Sequence, residues 1–173
     1  MPITIKKVHE AFEYLFKKLN DKNFSKTLGF EEWGERNLLP LVRTYLLGYF
    51  GELVRAEVRA TLTHCSTGFG RIDFLIDDVA VEFAVRKSLD TSNRNFLNHA
   101  NKNEVKKLLK YPSKSILVLF DFSSMPLNSC DLDRFRELPS LGQGNHSKYP
   151  FQISYFYKHE DEIKCHKKHI RIC

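Results

Sequence analysis

The stretch GRIDFLIDDVAVEFAV, residues 70–85, decides how this chain is read. Apolar residues fill both halves, and Asp77-Asp78 between them has the chemistry of a tight turn, so residues 71–76 and 79–85 read as paired antiparallel strands. Each strand carries one acid among residues that should be core, Asp73 and Glu82. Pairing across that turn sets the two opposite each other on one face. A buried carboxylate is costly unless it finds a cation or hydrogen bonds, and two opposed carboxylates repel. A divalent cation that prefers oxygen ligands, Mg²⁺ or Mn²⁺, resolves both problems. The alternative is two solvated ion pairs on the sheet face, Asp73 with Arg71 and Glu82 with Arg86.

Outward from the hairpin the period of the pattern changes twice. Residues 54–62 alternate, with Val54, Ala56, Val58, Ala60 and Leu62 on one side and Arg55, Glu57, Arg59 and Thr61 on the other, which predicts the first strand of a three-stranded meander. Turn chemistry at residues 66–70 joins it to the hairpin. Residues 5–19 and 35–50 have helical spacing, the second with Leu38, Leu39, Val42, Tyr45, Leu46 and Tyr49 on a broad apolar face. Pro40 is compatible with that helix only if it falls in the first turn. Residues 20–34 read as a loop. Downstream, Val105, Leu108 and Leu109 recur among lysines in a helix over residues 98–111, which Pro112 stops. Residues 115–120 are an unbroken apolar run, the mark of a strand buried on both faces, and a crossover helix before it predicts parallel pairing. Residues 123–150 are loop-like, with a short helical piece over 132–138. Residues 151–157 and 163–172 form late strands turning near Glu160-Asp161. The order ααβββαβ with a β-rich end describes an α/β (α+β) chain, a mixed sheet flanked by helices. A single domain over 1–173 is expected: an N-terminal helix and loop (1–34), a core (35–122) and a C-terminal elaboration (123–173).

Composition narrows the function classes. Of 173 residues, 42% are hydrophobic and 28% charged, which excludes a disordered tail and a membrane protein. The N-terminus lacks the apolar run of a secretory signal, so a cytoplasmic protein is expected. Lys and Arg number 27 against 21 Asp and Glu, a net charge of +6, which favours a polyanionic partner through counterion release. Four cysteines, Cys65, Cys130, Cys165 and Cys173, are spread without a disulfide framework. Thiolate and imidazole near the C-terminus raise the question of zinc, but along an extended strand Cys165, His169 and Cys173 string out by about 13 Å per four-residue step, too far for one ion.

Gly70-Arg71-Ile72-Asp73, nine positions before Glu82-Phe83-Ala84, lies in a hairpin that follows a helix and strand and precedes a Lys-rich helix and a buried strand. Over roughly residues 35–122 this resembles the restriction-endonuclease-like PD-(D/E)XK nuclease superfamily. The resemblance implies a restriction-endonuclease-like fold and a Mg²⁺- or Mn²⁺-dependent endonuclease acting on DNA more than RNA. Asp73 matches the family's metal-binding aspartate, Glu82 the acid of its E-x-K tripeptide, and the backbone carbonyl of Phe83 a further metal ligand. Glu35 matches the additional acid of some members. A homodimer or larger complex is compatible with it.

Two positions depart from the family pattern. Ile72 stands where a proline is usual, and Ala84 stands where the catalytic lysine belongs. By strand alternation Arg86 emerges on the face of Glu82 and is the expected substitute, with Lys102 or Lys106 on the following helix as other sources of the charge. Arg55, Arg59, Lys87, Arg94, Lys102, Lys106 and Lys107 are expected to hold phosphates. Without a replacement for the lysine, the chain would be a catalytically inactive nucleic-acid-binding or assembly module.

Overall fold

A computed structural model describes residues 2–61, 69–90, 101–137 and 148–172. The expectations for Arg94, for the turn before residue 69 and for Cys65 and Cys173 lie outside the described residues. Six strands form one mixed sheet in sequence order: β1 (Val54–Thr61), β2 (Phe69–Ile76), β3 (Val79–Arg86), β4 (Ser115–Asp121), β5 (Phe151–His159) and β6 (Glu162–Ile170). The meander β1-β2-β3 is antiparallel, β3, β4 and β5 run parallel, and β6 returns antiparallel on β5.

The helices cover both faces. Helices α1 (Ile5–Leu19) and α3 (Glu35–Phe50) pack on one side, and α4 (Lys102–Lys110) and α5 (Ser129–Asp133) on the other. Strand β4 is buried along its whole length because it lies between these layers. Its Ile116, Val118 and Phe120 join the core under α1 and α3, while Leu117 and Leu119 join the core under α4 and α5. The N-terminus of α1 is capped by Thr4, whose side chain accepts from the Lys7 N–H, and Lys17 and Lys18 in its last turn suit the helix dipole. The inner face of α1 brings Phe12 and Phe16 onto Phe120, with ring centroids 6.1 and 4.8 Å apart. Phe83 meets Phe120 edge-on at 5.0 Å.

Several expectations need correction. Residues 20–34 contain a short helix, α2 (Lys22–Ser25), and a 3₁₀ turn over Phe30–Glu32. Pro40 is the sixth residue of α3, beyond the first turn, and the helix continues through it. Tyr49 is exposed, so the buried stripe of α3 is the narrower Leu38, Val42 and Leu46. The late helical piece begins earlier, at Ser129, under a capping box formed by Asn128 and Asp131. The β5–β6 turn falls at Glu160-Asp161 as expected, with both residues at positive φ, 51° and 64°, the conformation of a two-residue hairpin turn. Among the described residues no helix is long and apolar enough to cross a membrane.

Candidate metal centre

Asp73 stands where regular strand pairing lapses on both sides. The β1–β2 register runs from Val54 opposite Ile76 to Ala56 opposite Phe74 and resumes at Val58 opposite Ile72, leaving Glu57 and Asp73 between the paired residues. Glu57 has a φ of 50°, a left-handed conformation that no ordinary strand residue adopts. Beyond this kink the strands change face: Ala56 and Phe74 pack under α3, whereas Val58 and Ile72 join the core under α4. The β2–β3 ladder pairs Ile76 with Val79 and Phe74 with Val81 and goes no further, so Asp73 and Glu82 occupy the first step after the strands part. There Asp73 Oδ2 accepts the Phe83 N–H at 2.9 Å, taking a donor that continued pairing would have used.

Glu82 is completely buried, with Leu117 of β4 beside it. Lys107 extends from α4 and donates to Glu82 Oε2 at 2.6 Å and to the Arg71 carbonyl at 2.8 Å. Glu82 Oε1 has no hydrogen-bond partner. Glu35 opens α3, where the helix N-terminus favours negative charge. Desolvation, then Asp73 and then Glu104 push the Glu35 carboxyl up to about 7, with Lys107 and Arg36 opposing. Desolvation also raises Asp73, against the Phe83 N–H, Lys107 and the neighbouring Glu82 carboxyl. Glu82 is raised well above the ordinary range by desolvation and then by Asp73, although Lys107 pulls the other way. Four acids therefore lie within electrostatic reach of two cations, Lys107 and Arg36, and Glu82 among them is fully buried.

A groove of about 640 Å³ opens from this point along α3. Asp73, Phe74, Ala56 and Glu57 line it from the sheet, and Arg36, Pro40, Arg43 and Thr44 line it from the helix. Its charged helix residues are thus both cationic.

The structure brings together Asp73, Glu82 and Lys107, places Glu35 near enough to feel the charge of Asp73, and separates others. Arg86 shares the face of Glu82 but does not open onto it: wholly buried, it donates to Asp121 Oδ2 at 3.1 Å and to the Met125 carbonyl at 2.6 Å. The expected place for Arg86 beside the acids is thereby corrected. Arg71 turns to Glu57 at 2.6 Å, so neither of the simple pairs, Asp73 with Arg71 or Glu82 with Arg86, is formed. Arg55 and Arg59 do not share a face, because the strand switches sides between them at Glu57. Lys87 lies just past the end of β3, its N–H bound by Asp90. Lys102 and Lys106 are half-buried on α4, and the helix lysine in contact with Glu82 is their neighbour Lys107. Ala84 packs into the core under α4.

Sequence reasoning missed Glu104 and the groove residues Arg36 and Arg43, and it gave Lys107 only a phosphate-binding role. A signal for the groove was present, since Arg36, Pro40, Arg43, Thr44 and Leu47 recur at helical spacing on one stripe of α3. The hard oxygen donors of Asp73 and Glu82 are of the kind that Mg²⁺ or Mn²⁺ takes. No family model, curated protein or solved structure matches the chain.

Proposed function

We propose that this chain is a divalent-metal-dependent nuclease with a restriction-endonuclease-like, PD-(D/E)XK core, hydrolysing phosphodiesters of DNA in preference to RNA. The observation that carries this reading is the buried Glu82 carboxylate, with one oxygen on Lys107 and the other unpartnered, beside Asp73. A buried oxygen without a hydrogen bond, next to a second raised carboxyl, fits a bound cation, and carboxylate donors fit a hard one. Asp73 and Glu82 would hold Mg²⁺ or Mn²⁺, with the Phe83 carbonyl on the same strand edge as the N–H that Asp73 accepts. Bound there, such an ion would lower the pKa of a water and offset charge on the scissile phosphate.

The chain's own residues supply the rest. Lys107 would stand in for the lysine that Ala84 replaces: its ammonium is fixed by Glu82 and the Arg71 carbonyl and would offset charge developing on the phosphate. Glu35, its carboxyl raised to about 7, is poised to hold or release a proton near neutral pH. Arg36 and Arg43 would position the nucleic-acid backbone along the groove.

The test is cleavage of single-stranded, duplex and branched DNA and of RNA with Mg²⁺ or Mn²⁺, comparing wild type with Asp73→Ala and Glu82→Ala. Metal-dependent cleavage should fall by at least about 100-fold in both variants. A wild type that binds DNA in a salt-sensitive way yet cuts nothing would favour a binding module, in which Lys107 merely neutralises Glu82.

A further inference from the structure

On the other face of the sheet, α1 and the edge strand β6 bring a second set of ligating atoms together. A ring nitrogen of His9, a carboxylate oxygen of Glu13 and Cys165 Sγ all lie within 4.8 Å of one another. His9 is wholly buried inside α1, and Glu13 follows it by one helical turn, so both face the sheet edge where Cys165 pairs with Phe156. We propose that His9, Glu13 and Cys165 form a zinc site that fastens α1 to β6.

The surroundings hold the ligands as outer partners hold those of metal sites. Ser154 Oγ sits 2.8 Å from His9 Nδ1, and the Phe156 ring stacks on the imidazole at 5.0 Å, fixing its plane. That leaves Nε2, buried and without a hydrogen bond, 3.5 Å from Glu13 Oε2. The other Glu13 oxygen, Oε1, accepts from Lys17 at 2.7 Å, which orients the carboxylate. One imidazole, one carboxylate and one thiolate suit zinc rather than magnesium, and three protein ligands leave a fourth position for water. Tetrahedral zinc needs ligand atoms about 3.3–3.7 Å apart; His9 Nε2 and Glu13 Oε2 meet that at 3.5 Å, and a rotation of the Cys165 side chain would bring the thiol in.

Extended-strand spacing along β6 keeps Cys165 and His169 from sharing an ion. The partner for Cys165 comes instead from α1, more than 150 positions earlier, and only the fold brings the two together. This site is independent of the nuclease reading, since Glu82 faces α4 and Cys165 faces α1.

Cobalt titration of the full chain tests the proposal, because Co²⁺ at a thiolate gives a ligand-to-metal charge-transfer band and Co²⁺ at Asp73 and Glu82 does not. One equivalent should produce that band in wild type. Cys165→Ser should abolish it, and Glu13→Gln on the helix surface should weaken binding by about tenfold or more. In unaltered protein, Zn²⁺ should slow alkylation of Cys165 at least about tenfold while leaving the exposed Cys130 unaffected. No thiolate band in wild type, a band that survives in Cys165→Ser, or alkylation of Cys165 indifferent to Zn²⁺ would each overturn it.

Discussion

Glu35, Asp73 and Glu82 each hold a proton more tightly than a free carboxyl does, and loss of water is the first cause in all three. The sign of the linkage follows. For Glu35, native and unfolded chains are both protonated below the ordinary value of 4.5, and between 4.5 and about 7 the native state binds more protons than the unfolded state. Stability from Glu35 is therefore fully present at low pH and is lost as pH rises through that window, and the raised Asp73 and Glu82 act in the same direction. Glu35→Gln should match wild type in thermal stability near pH 4.5 and exceed it near pH 8, when both are melted in EDTA. A divalent cation should erase the advantage by stabilising the charged site of wild type. A variant no more stable than wild type at pH 8 in EDTA would remove the crowding of acids from the explanation. At this scale the acids were legible, because a carboxyl flanked by core residues stands out in a strand pattern. Lys107 was not, because the rotation of α4 against the sheet decides which of its lysines reaches Glu82, and helical spacing alone does not carry that rotation.

Strand β1 shows what an alternating pattern conceals. Its sequence alternates without a break, yet its apolar side chains serve two cores, because Glu57 at a φ of 50° turns the chain over halfway along. Nothing in the residue type announces this, since glutamate is an unusual choice for a left-handed position. Its ion pair with Arg71 is largely solvated and contributes little to offset that strain. The kink displaces Asp73 from the ladder and frees its carboxylate for the Phe83 N–H, so the irregularity lies at the candidate site. Glu57→Val, which cannot adopt that backbone easily, should destabilise the fold by about 1–2 kcal/mol in urea titration. It should also weaken Mn²⁺ binding at the distant-in-sequence Asp73, whereas Glu57→Gly should do neither.

The C-terminal ends of β3 and β4 are tied by a buried ion pair. Asp121 at the end of β4 accepts from Arg86, from the Tyr155 hydroxyl at 2.6 Å and from the Ser123 N–H at 2.8 Å. Arg86→Ala would leave Asp121 buried without its ion pair, at a cost of about 3–5 kcal/mol. Chemical denaturation should show that loss, and any residual cleavage per folded molecule should stay near wild type. Cleavage lost from a variant that keeps its stability would return Arg86 to the chemistry.

The whole molecule divides its work between the two faces of one sheet. Beneath α1 and α3 the aromatic core of Phe12, Phe16, Phe83 and Phe120 holds β3 and β4 in place, and the opposite face presents Glu82 to Lys107. Element order, the parallel crossover into β4 and the β5–β6 hairpin could be read from periodicity, because each depends on local pattern and turn chemistry. The groove along α3 and the meeting of α1 with β6 could not, since both arise from packing between elements far apart in sequence. The most direct measurement of the central claim is the single-turnover rate of duplex DNA cleavage at saturating Mn²⁺ for wild type and Lys107→Met. Lys107→Met should fold, bind Mn²⁺ as well as wild type or better, and cleave at least about 100-fold more slowly. Equal rates in the two proteins, or no metal-dependent cleavage by wild type, would contradict the assignment of Asp73, Glu82 and Lys107 as a nuclease centre.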